Sequence, residues 1–137
     1  MKPSLVDTDI LSLFFKKHPQ VTGYFDNYLA QYGTINFSII TYYEIVSGLK
    51  HRDAYNRLSL FFDFAARNTV LPLTEDAVNI AGDLYAELYK NGTPLDDIDI
   101  LIAGIAVAND LKLITHNTKH FEKIHQLQID DWSLSSH

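Results

Sequence analysis

Residues 4–15 read SLVDTDILSLFF, and this stretch decides the start of the fold. A short apolar run stops at the triplet Asp7-Thr8-Asp9, after which apolar residues recur at the spacing of a helix face. The pattern therefore predicts a buried strand, a polar turn and a helix, and it places two carboxylates where the strand ends.

Further along the chain, apolar runs of strand length alternate with segments of helical periodicity. The predicted strands cover 4–6, 34–37, 69–73 and 111–115, with a possible fifth at 127–129. The first predicted helix ends at Pro19. The other predicted helices cover 21–32, 38–49, 52–67, the long stretch from the Thr74 cap to near Gly92, and 98–109. Strands alternating with helices imply right-handed crossovers and a parallel sheet covered on both faces. We expect a single domain over residues 1–137, with a three-layer α/β/α fold and a central parallel sheet of four to five strands.

Composition narrows the class of protein. With 137 residues and 47% hydrophobic content, the chain can bury one continuous core, and the absence of cysteine excludes disulfides and zinc-thiolate sites. No apolar run approaches the roughly 20 residues of a membrane span, and Asp7 comes too early for a signal peptide. We therefore expect a cytoplasmic protein without a membrane segment.

The net charge of −6 and the pI of about 5.3 argue against a dedicated nucleic-acid coat protein, because such domains are usually basic. The acids are concentrated in short clusters, however. Basic residues lie close to them in sequence, at Lys50-His51-Arg52, Lys119 and Lys123.

The predicted topology gathers distant polar residues at one edge of the sheet. Asp7 follows the first strand, Glu44 lies in the helix after the second, and Asn117 follows the fourth. Asp99 begins the buried helix that leads into the fourth strand, so its first turn reaches the same edge. Sites in open parallel sheets lie beyond the carboxyl ends of the strands.

Clustered carboxylates repel each other unless a cation or a proton intervenes, and Mg²⁺ prefers oxygen ligands. Such ions can activate water, offset charge on a phosphodiester transition state and assist the leaving oxygen. We expect Asp7 and Asp99 to coordinate Mg²⁺ directly, with Mn²⁺ as a possible substitute. Glu44 would bind the ion through water or position the attacking water.

Each of these residues also fits a structural role. Asp7-Thr8-Asp9 could cap the following helix, Thr41-x-x-Glu44 fits a capping box, and acids near Asp99 suit the positive end of a helix dipole. Asn117 could cap a short helix over 118–123. Capping does not explain why the acids converge on one edge. His116 and His120 lack a third zinc ligand and are interpreted as solvated or RNA-facing.

Four motifs carry a resemblance that covers the chain from Ser4 to Asp131-Trp132. They are LVDT at 5–8, Ser38-x-x-Thr41-x-x-Glu44-Ile45, DILIA at 99–103 and LITHNTKHF at 113–121. In this order and spacing they resemble the PIN-domain ribonucleases, specifically the VapC toxins of type II toxin–antitoxin systems.

The resemblance implies a Mg²⁺-dependent endoribonuclease that cleaves structured RNA such as tRNA. It also implies a cognate VapB-like antitoxin and a homodimer. Asp7, Glu44 and Asp99 match the acidic core of the family. Asn117 stands where the family often has a fourth acid, so the resemblance does not decide whether a second metal ion binds. Asp9 or Asp97 could supply the missing carboxylate.

Two other functions stay open at this point. A phosphatase of the haloacid dehalogenase type could use Asp7 as nucleophile and Asp9 as general acid. That family also requires a lysine, a later acidic pair and usually a cap domain, whereas this chain is short and Glu44 would be unexplained. The second is a catalytically idle RNA-binding or partner-binding domain with the same fold. A Rossmann nucleotide site is excluded, because no two glycines form a G-x-G turn at a strand-to-helix junction.

Overall fold

The computed structural model describes residues 1–134. Within this range, five short strands form one sheet, and seven helices surround it. The strands are β1 (Ser4–Val6), β2 (Asn36–Ser38), β3 (Thr69–Leu71), β4 (Lys112–Ile114) and β5 (Ile129–Asp130). The helices are α1 (Thr8–Phe15), α2 (Pro19–Tyr32), α3 (Ile39–His51), α4 (Tyr55–Ala66), α5 (Glu75–Lys90), α6 (Asp97–Ala108) and α7 (Thr118–Phe121).

All neighbouring strands are parallel, in the order β3-β2-β1-β4-β5. Residues alternate between the two faces of the sheet, so Leu5 and Leu113 pack in one core, and Val6 and Ile114 in the other. The first core lies under α5 and α6, and the second under α1 and α2. The predicted three-layer α/β/α fold with a parallel sheet is confirmed.

Helix α6 is the most buried helix of the fold. Ile100 and the segment 102–106 are all buried, as the alanine-rich apolar sequence predicted. It packs closely along α5, where Gly104 faces Ala77 and Ala81. This contact fixes the height of α6 on the sheet, and with it the position of Asp99 in the first turn.

Several predicted boundaries were wrong by a few residues. The sequence predicted that Pro19 ends the first helix. Instead, α1 ends at Phe15, and Pro19 is the first residue of α2. Proline suits this position because its fixed φ is helical and the first turn of a helix needs no amide donor. Strand β2 covers Asn36–Ser38 rather than 34–37, and β5 has only two residues. The helix predicted to begin at Ser38 begins at Ile39, and Ser38 caps it, with its hydroxyl accepting from the Thr41 amide.

The predicted single domain of residues 1–137 includes 135–137, which lie outside the described residues. Over residues 1–134, none of the helices has both the length and the apolar character needed to cross a membrane.

Candidate active site

Asp7 lies at the carboxyl end of the central strand β1 and is buried, with 6% of its surface exposed. Its two carboxylate oxygens both accept hydrogen bonds. Oδ1 accepts from the Thr8 amide at 2.8 Å, and Oδ2 accepts from the Thr115 hydroxyl at 2.8 Å. The end of β1 and the end of its neighbour β4 therefore hold this carboxylate in one orientation.

Thr8 connects Asp7 to Glu44. Its hydroxyl donates to Glu44 Oε1 at 2.6 Å and lies 2.9 Å from the hydroxyl of the buried Thr41. Glu44 reaches this point from the second turn of α3. The sequence prediction that Asp7 and Glu44 share one edge of the sheet holds, but the threonine that joins them was not anticipated.

Asp99 lies in the first turn of α6, with 22% of its side chain exposed. Its Oδ2 is 3.6 Å from Nδ1 of His120, so the two side chains form an ion pair when the histidine is protonated. The charge of Asp99 raises the pKa of Asp7, and the charge of Glu44 raises the pKa of Asp99. The three predicted acids are thus electrostatic neighbours.

The electrostatic cost of this grouping is largest at Asp7. Its pKa is raised from 3.8 to about 7, chiefly by burial and further by the charges of Asp9 and Asp99, against the hydrogen bonds from Thr115 and Thr8. Burial also raises the pKa of Asp9 and of Asp99. Ionising all of these groups is unfavourable unless positive charge is brought to them.

This electrostatic cost makes the stability of the metal-free protein depend on pH through Asp7. Between about pH 4 and pH 7 the folded state keeps a proton on Asp7 that the unfolded state has lost, so this contribution to stability falls as the pH rises. The free energy of unfolding of Asp7→Asn should therefore be higher than that of the wild type above pH 7, by on the order of 2 kcal/mol. The difference should be smaller at pH 5.

Urea unfolding in EDTA at several pH values measures the difference, with Asp26→Asn on the exposed side of α2 as the control. A gap between Asp7→Asn and wild type that stays constant with pH would contradict the raised pKa.

The described side chains do not form a closed metal cage. Within residues 1–134, no three acidic or histidine side chains stand together as a complete ligand set. Mg²⁺ does not need one, because it usually keeps several waters and binds through one or two carboxylates. Asp7 and Asp99, whose unfavourable ionisation a cation would relieve, fit that requirement.

The structure decides between capping and other roles for several residues. Thr41 is not the first residue of a capping box: Ser38 caps α3, so the capping interpretation of Thr41 and Glu44 was wrong. Asp7 does precede α1 and accepts from the Thr8 amide. Asn117 occupies the cap position of α7, but its exposed side chain makes no capping hydrogen bond.

A second group of contacts was missed by sequence reasoning. The amide of His116 donates to Asp9 Oδ2 at 3.0 Å, while its ring Nδ1 lies 2.9 Å from Oδ2 of the buried Asp131. Burial alone would raise the pKa of Asp131, yet the hydrogen bonds from Ser133 and His116 hold it below its ordinary value. Asp131 thereby anchors the loop between β4 and α7 that supplies Thr115 to Asp7.

Only the position of Thr115, at the carboxyl end of a predicted strand, gave a sequence signal for these contacts. Asp131 lies more than a hundred residues from Asp9, and no motif links the two.

Known proteins are similar to this chain in both sequence and fold. The family model described as "PIN domain" matches residues 4–127. The chain is 30% identical over 131 residues to "Ribonuclease VapC2" of Rickettsia felis, covering 93% of this chain and 96% of the relative. It is 29% identical over 130 residues to "tRNA(fMet)-specific endonuclease VapC" of Shigella flexneri, covering 94% and 97%.

Among solved structures, the chain is similar to one in DNA-bound VapBC from Salmonella typhimurium. The TM-score is 0.85 at 29% identity, over 96% of this chain and 99% of the other.

Proposed function

The chain belongs to the PIN domain family, and from this premise we propose that it is a divalent-metal-dependent endoribonuclease and the toxin of a VapBC-type toxin–antitoxin pair. The observation that carries the proposal is the electrostatic grouping of Asp7, Glu44 and Asp99 at the carboxyl edge of the sheet, with the pKa of Asp7 raised to about 7. The names of the Rickettsia and Shigella relatives, a ribonuclease and a tRNA endonuclease, support RNA as substrate.

Asp7 and Asp99 would hold Mg²⁺ or Mn²⁺. When bound, such an ion supplies positive charge beside the scissile phosphate and favours ionisation of a water molecule. Thr8 and Thr115 keep Asp7 in a fixed orientation, so little rearrangement is needed on binding. Thr8 donates to one oxygen of Glu44, and the other oxygen accepts no hydrogen bond within residues 1–134, so Glu44 can orient a water molecule or accept its proton.

The partner and the assembly are also proposals. The similar Salmonella structure is a VapBC complex bound to DNA, which supports a VapB-like antitoxin as partner. Structured RNA such as tRNA, a cytoplasmic location and a homodimer stay predictions from the family.

The decisive experiment is cleavage of RNA by the purified chain, freed of any antitoxin. With Mg²⁺ or Mn²⁺ we expect cleavage of tRNA, and excess EDTA should stop it. The same ions should raise the melting temperature, because a ligand that binds only the folded state stabilises it by about 2.7 kcal/mol at a hundred times its Kd. Undiminished cleavage in EDTA would defeat the metal mechanism.

The same assay separates the alternatives. A phosphatase would hydrolyse small phosphate monoesters and form a phosphorylated Asp7. The geometry gives this role no support, because Glu44 is joined to Asp7 through Thr8 and a phosphatase would leave Glu44 unexplained. An idle binding domain would bind RNA without cleaving it, yet the acidic edge repels phosphate unless a cation is present.

Asn117 gives a further prediction. If a second ion is weakly held because an amide stands where the family often has an acid, Asn117→Asp should lower the Mg²⁺ concentration needed for half-maximal cleavage. The added charge should strengthen ion binding by a few kcal/mol at most, for an effective dielectric constant of about 20. Since the Asn117 side chain makes no capping bond, the substitution should leave the melting temperature in EDTA nearly unchanged.

Titration of Mg²⁺ against cleavage rate for the two proteins measures this effect. Superimposable curves would show that position 117 does not contribute to ion binding.

A further inference from the structure

The rim of the candidate active site carries an imidazole whose presence the carboxylates alone do not explain. Nδ1 of His120 lies 3.6 Å from Oδ2 of Asp99, and 55% of the His120 side chain is exposed. From the sequence, this ring was interpreted as solvated or RNA-facing. An ion pair this exposed contributes little to stability, so the contact is not explained by stabilisation of the fold.

The backbone on both sides of this contact is fixed by the core. Phe121 follows His120 and is buried in the core under α5 and α6. Ile100, which follows Asp99, is buried in the same core. The amides of His120 and Phe121 donate to the carbonyl oxygen of Asn117 at 3.1 and 3.4 Å, which keeps α7 in one tight turn. The two backbones are therefore held together, while the exposed ring can still rotate.

The spacing of the two side chains suits a shared metal ion. Neighbouring ligand atoms of an octahedral ion, each about 2.1 Å from it, lie about 3.0 Å apart. The distance of 3.6 Å between Nδ1 of His120 and Oδ2 of Asp99 is close to this value, and a small rotation of the exposed ring removes the difference. Water can occupy the remaining positions, as it usually does around Mg²⁺.

The donor atom of His120 differs in chemistry from the carboxylates. Carboxylate oxygens suit both Mg²⁺ and Mn²⁺, whereas imidazole nitrogen favours first-row transition ions, for which affinity rises from Mn²⁺ to Co²⁺. His116, in the same loop region, is not equivalent, because its Nδ1 lies 2.9 Å from Oδ2 of Asp131 and 3.0 Å from Oγ of Ser133. Among residues 1–134, His120 is the histidine that pairs with Asp99.

We propose that Nδ1 of His120 joins Asp99 as a ligand of the active-site ion and biases the site toward Mn²⁺ and away from Mg²⁺. This inference rests on the proposed metal-dependent function and adds to it the choice of ion. A site made of carboxylates alone would discriminate little between the two ions. The added nitrogen strengthens binding of the transition ion and does little for Mg²⁺.

The first test measures metal affinity without RNA, on the full chain prepared without a histidine tag. Calorimetric titrations with MgCl₂, MnCl₂ and CoCl₂ are run near pH 8, so that protons do not compete for the imidazole. His120→Gln should raise the Kd for Mn²⁺ about tenfold and the Kd for Co²⁺ by more. The Kd for Mg²⁺ should change by less than about threefold, since Mg²⁺ prefers oxygen ligands.

The matched control is His125→Gln, which removes another exposed histidine of the same part of the chain. It should leave the Kd values of all three ions close to those of the wild type. Both variants should melt in EDTA near the wild-type temperature, because substitutions of exposed side chains have small effects on stability.

The second test observes the nitrogen directly. Pulsed EPR of the Mn²⁺-loaded protein detects a nitrogen atom bound to the ion. The nitrogen coupling should be present in the wild type and in His125→Gln, and it should be absent in His120→Gln.

A wild type without nitrogen coupling, or a coupling that persists in His120→Gln, would overturn the inference. Equal losses of Mg²⁺ and Mn²⁺ affinity would also overturn it, because the ring would then only position Asp99. Unchanged metal affinity together with weaker RNA binding would assign the ring to a phosphate of the substrate instead.

Cleavage of RNA by the wild type is scored separately. If cleavage requires an added ion while His120→Gln binds all three ions as the wild type does, the inference about His120 fails and the ribonuclease function stands. If the wild type binds none of the ions, the metal-dependent function fails together with the inference.

Discussion

Asp99→Asn is expected to lower the rate of RNA cleavage by at least about a hundredfold while leaving the fold intact. The substitution removes a charge at nearly constant volume from the first turn of α6, at the rim of the site. Asp99 is one of two carboxylates assigned to hold the metal ion, and an amide oxygen is an uncharged, weaker ligand. The loss should therefore appear both in the rate and in the concentration of Mg²⁺ required.

Stability should change in the opposite direction. Burial, Asp96 and Glu44 raise the pKa of Asp99 against the influence of His120, so its negative charge is unfavourable in the metal-free protein. Asp99→Asn in EDTA should melt at the same temperature as the wild type or slightly above it. The stabilisation by Mg²⁺ should be much reduced.

Asp83→Asn, on the exposed side of α5, removes the same charge away from the site and serves as the control. Wild-type cleavage by Asp99→Asn, with an unchanged Mg²⁺ requirement, would remove Asp99 from the mechanism.

Gly104→Ala should destabilise the protein by about 1–3 kcal/mol, although alanine favours helices over glycine. A Cβ at this position would lie 2.6 Å from the carbonyl oxygen of Ala77 and 3.0 Å from the Cβ of Ala81. The nearest atom belongs to the backbone of α5, so rotation of a side chain cannot relieve the clash. The two helices must move apart, and the core beneath them loses contact.

The chain contains a matched control for this effect. Gly82 also lies within a helix, but a Cβ there would meet nothing within 4 Å. Gly82→Ala should increase stability by up to about 1 kcal/mol. Urea unfolding of both variants measures the contrast directly, and a Gly104→Ala variant as stable as Gly82→Ala would show that α5 and α6 are not in close contact.

Because Gly104 lies one turn and a half beyond Asp99 on α6, its substitution also tests the link between packing and the site. Displacement of α6 should weaken Mg²⁺ stabilisation in the folded fraction. Gly82→Ala should leave it unchanged.

Much of this architecture was determined by the sequence itself. Alternation of strand-length apolar runs with helical periodicity predicted a parallel sheet covered on both faces, because only such a sheet buries both kinds of segment. The rule that parallel strands share a carboxyl edge then brought Asp7 and Glu44 together from positions 37 residues apart. Asp99 joined them because its helix runs back into β4. These inferences depend only on periodicity and chain direction, which are local properties of the sequence.

Side-chain partners could not be predicted in this way. They depend on the positions of separate segments to within a few tenths of an ångström, and no local sequence pattern links those segments. Examples are the hydrogen bond from Thr8 to Glu44 and the anchoring of His116 by Asp131. Thr41 was interpreted as a cap because its sequence spacing fits one, yet it is buried and its hydroxyl lies against Thr8. The sequence determined which residues reach the edge of the sheet, whereas only tertiary packing decided which of them touch, since contact is set by how the helices lie on the sheet.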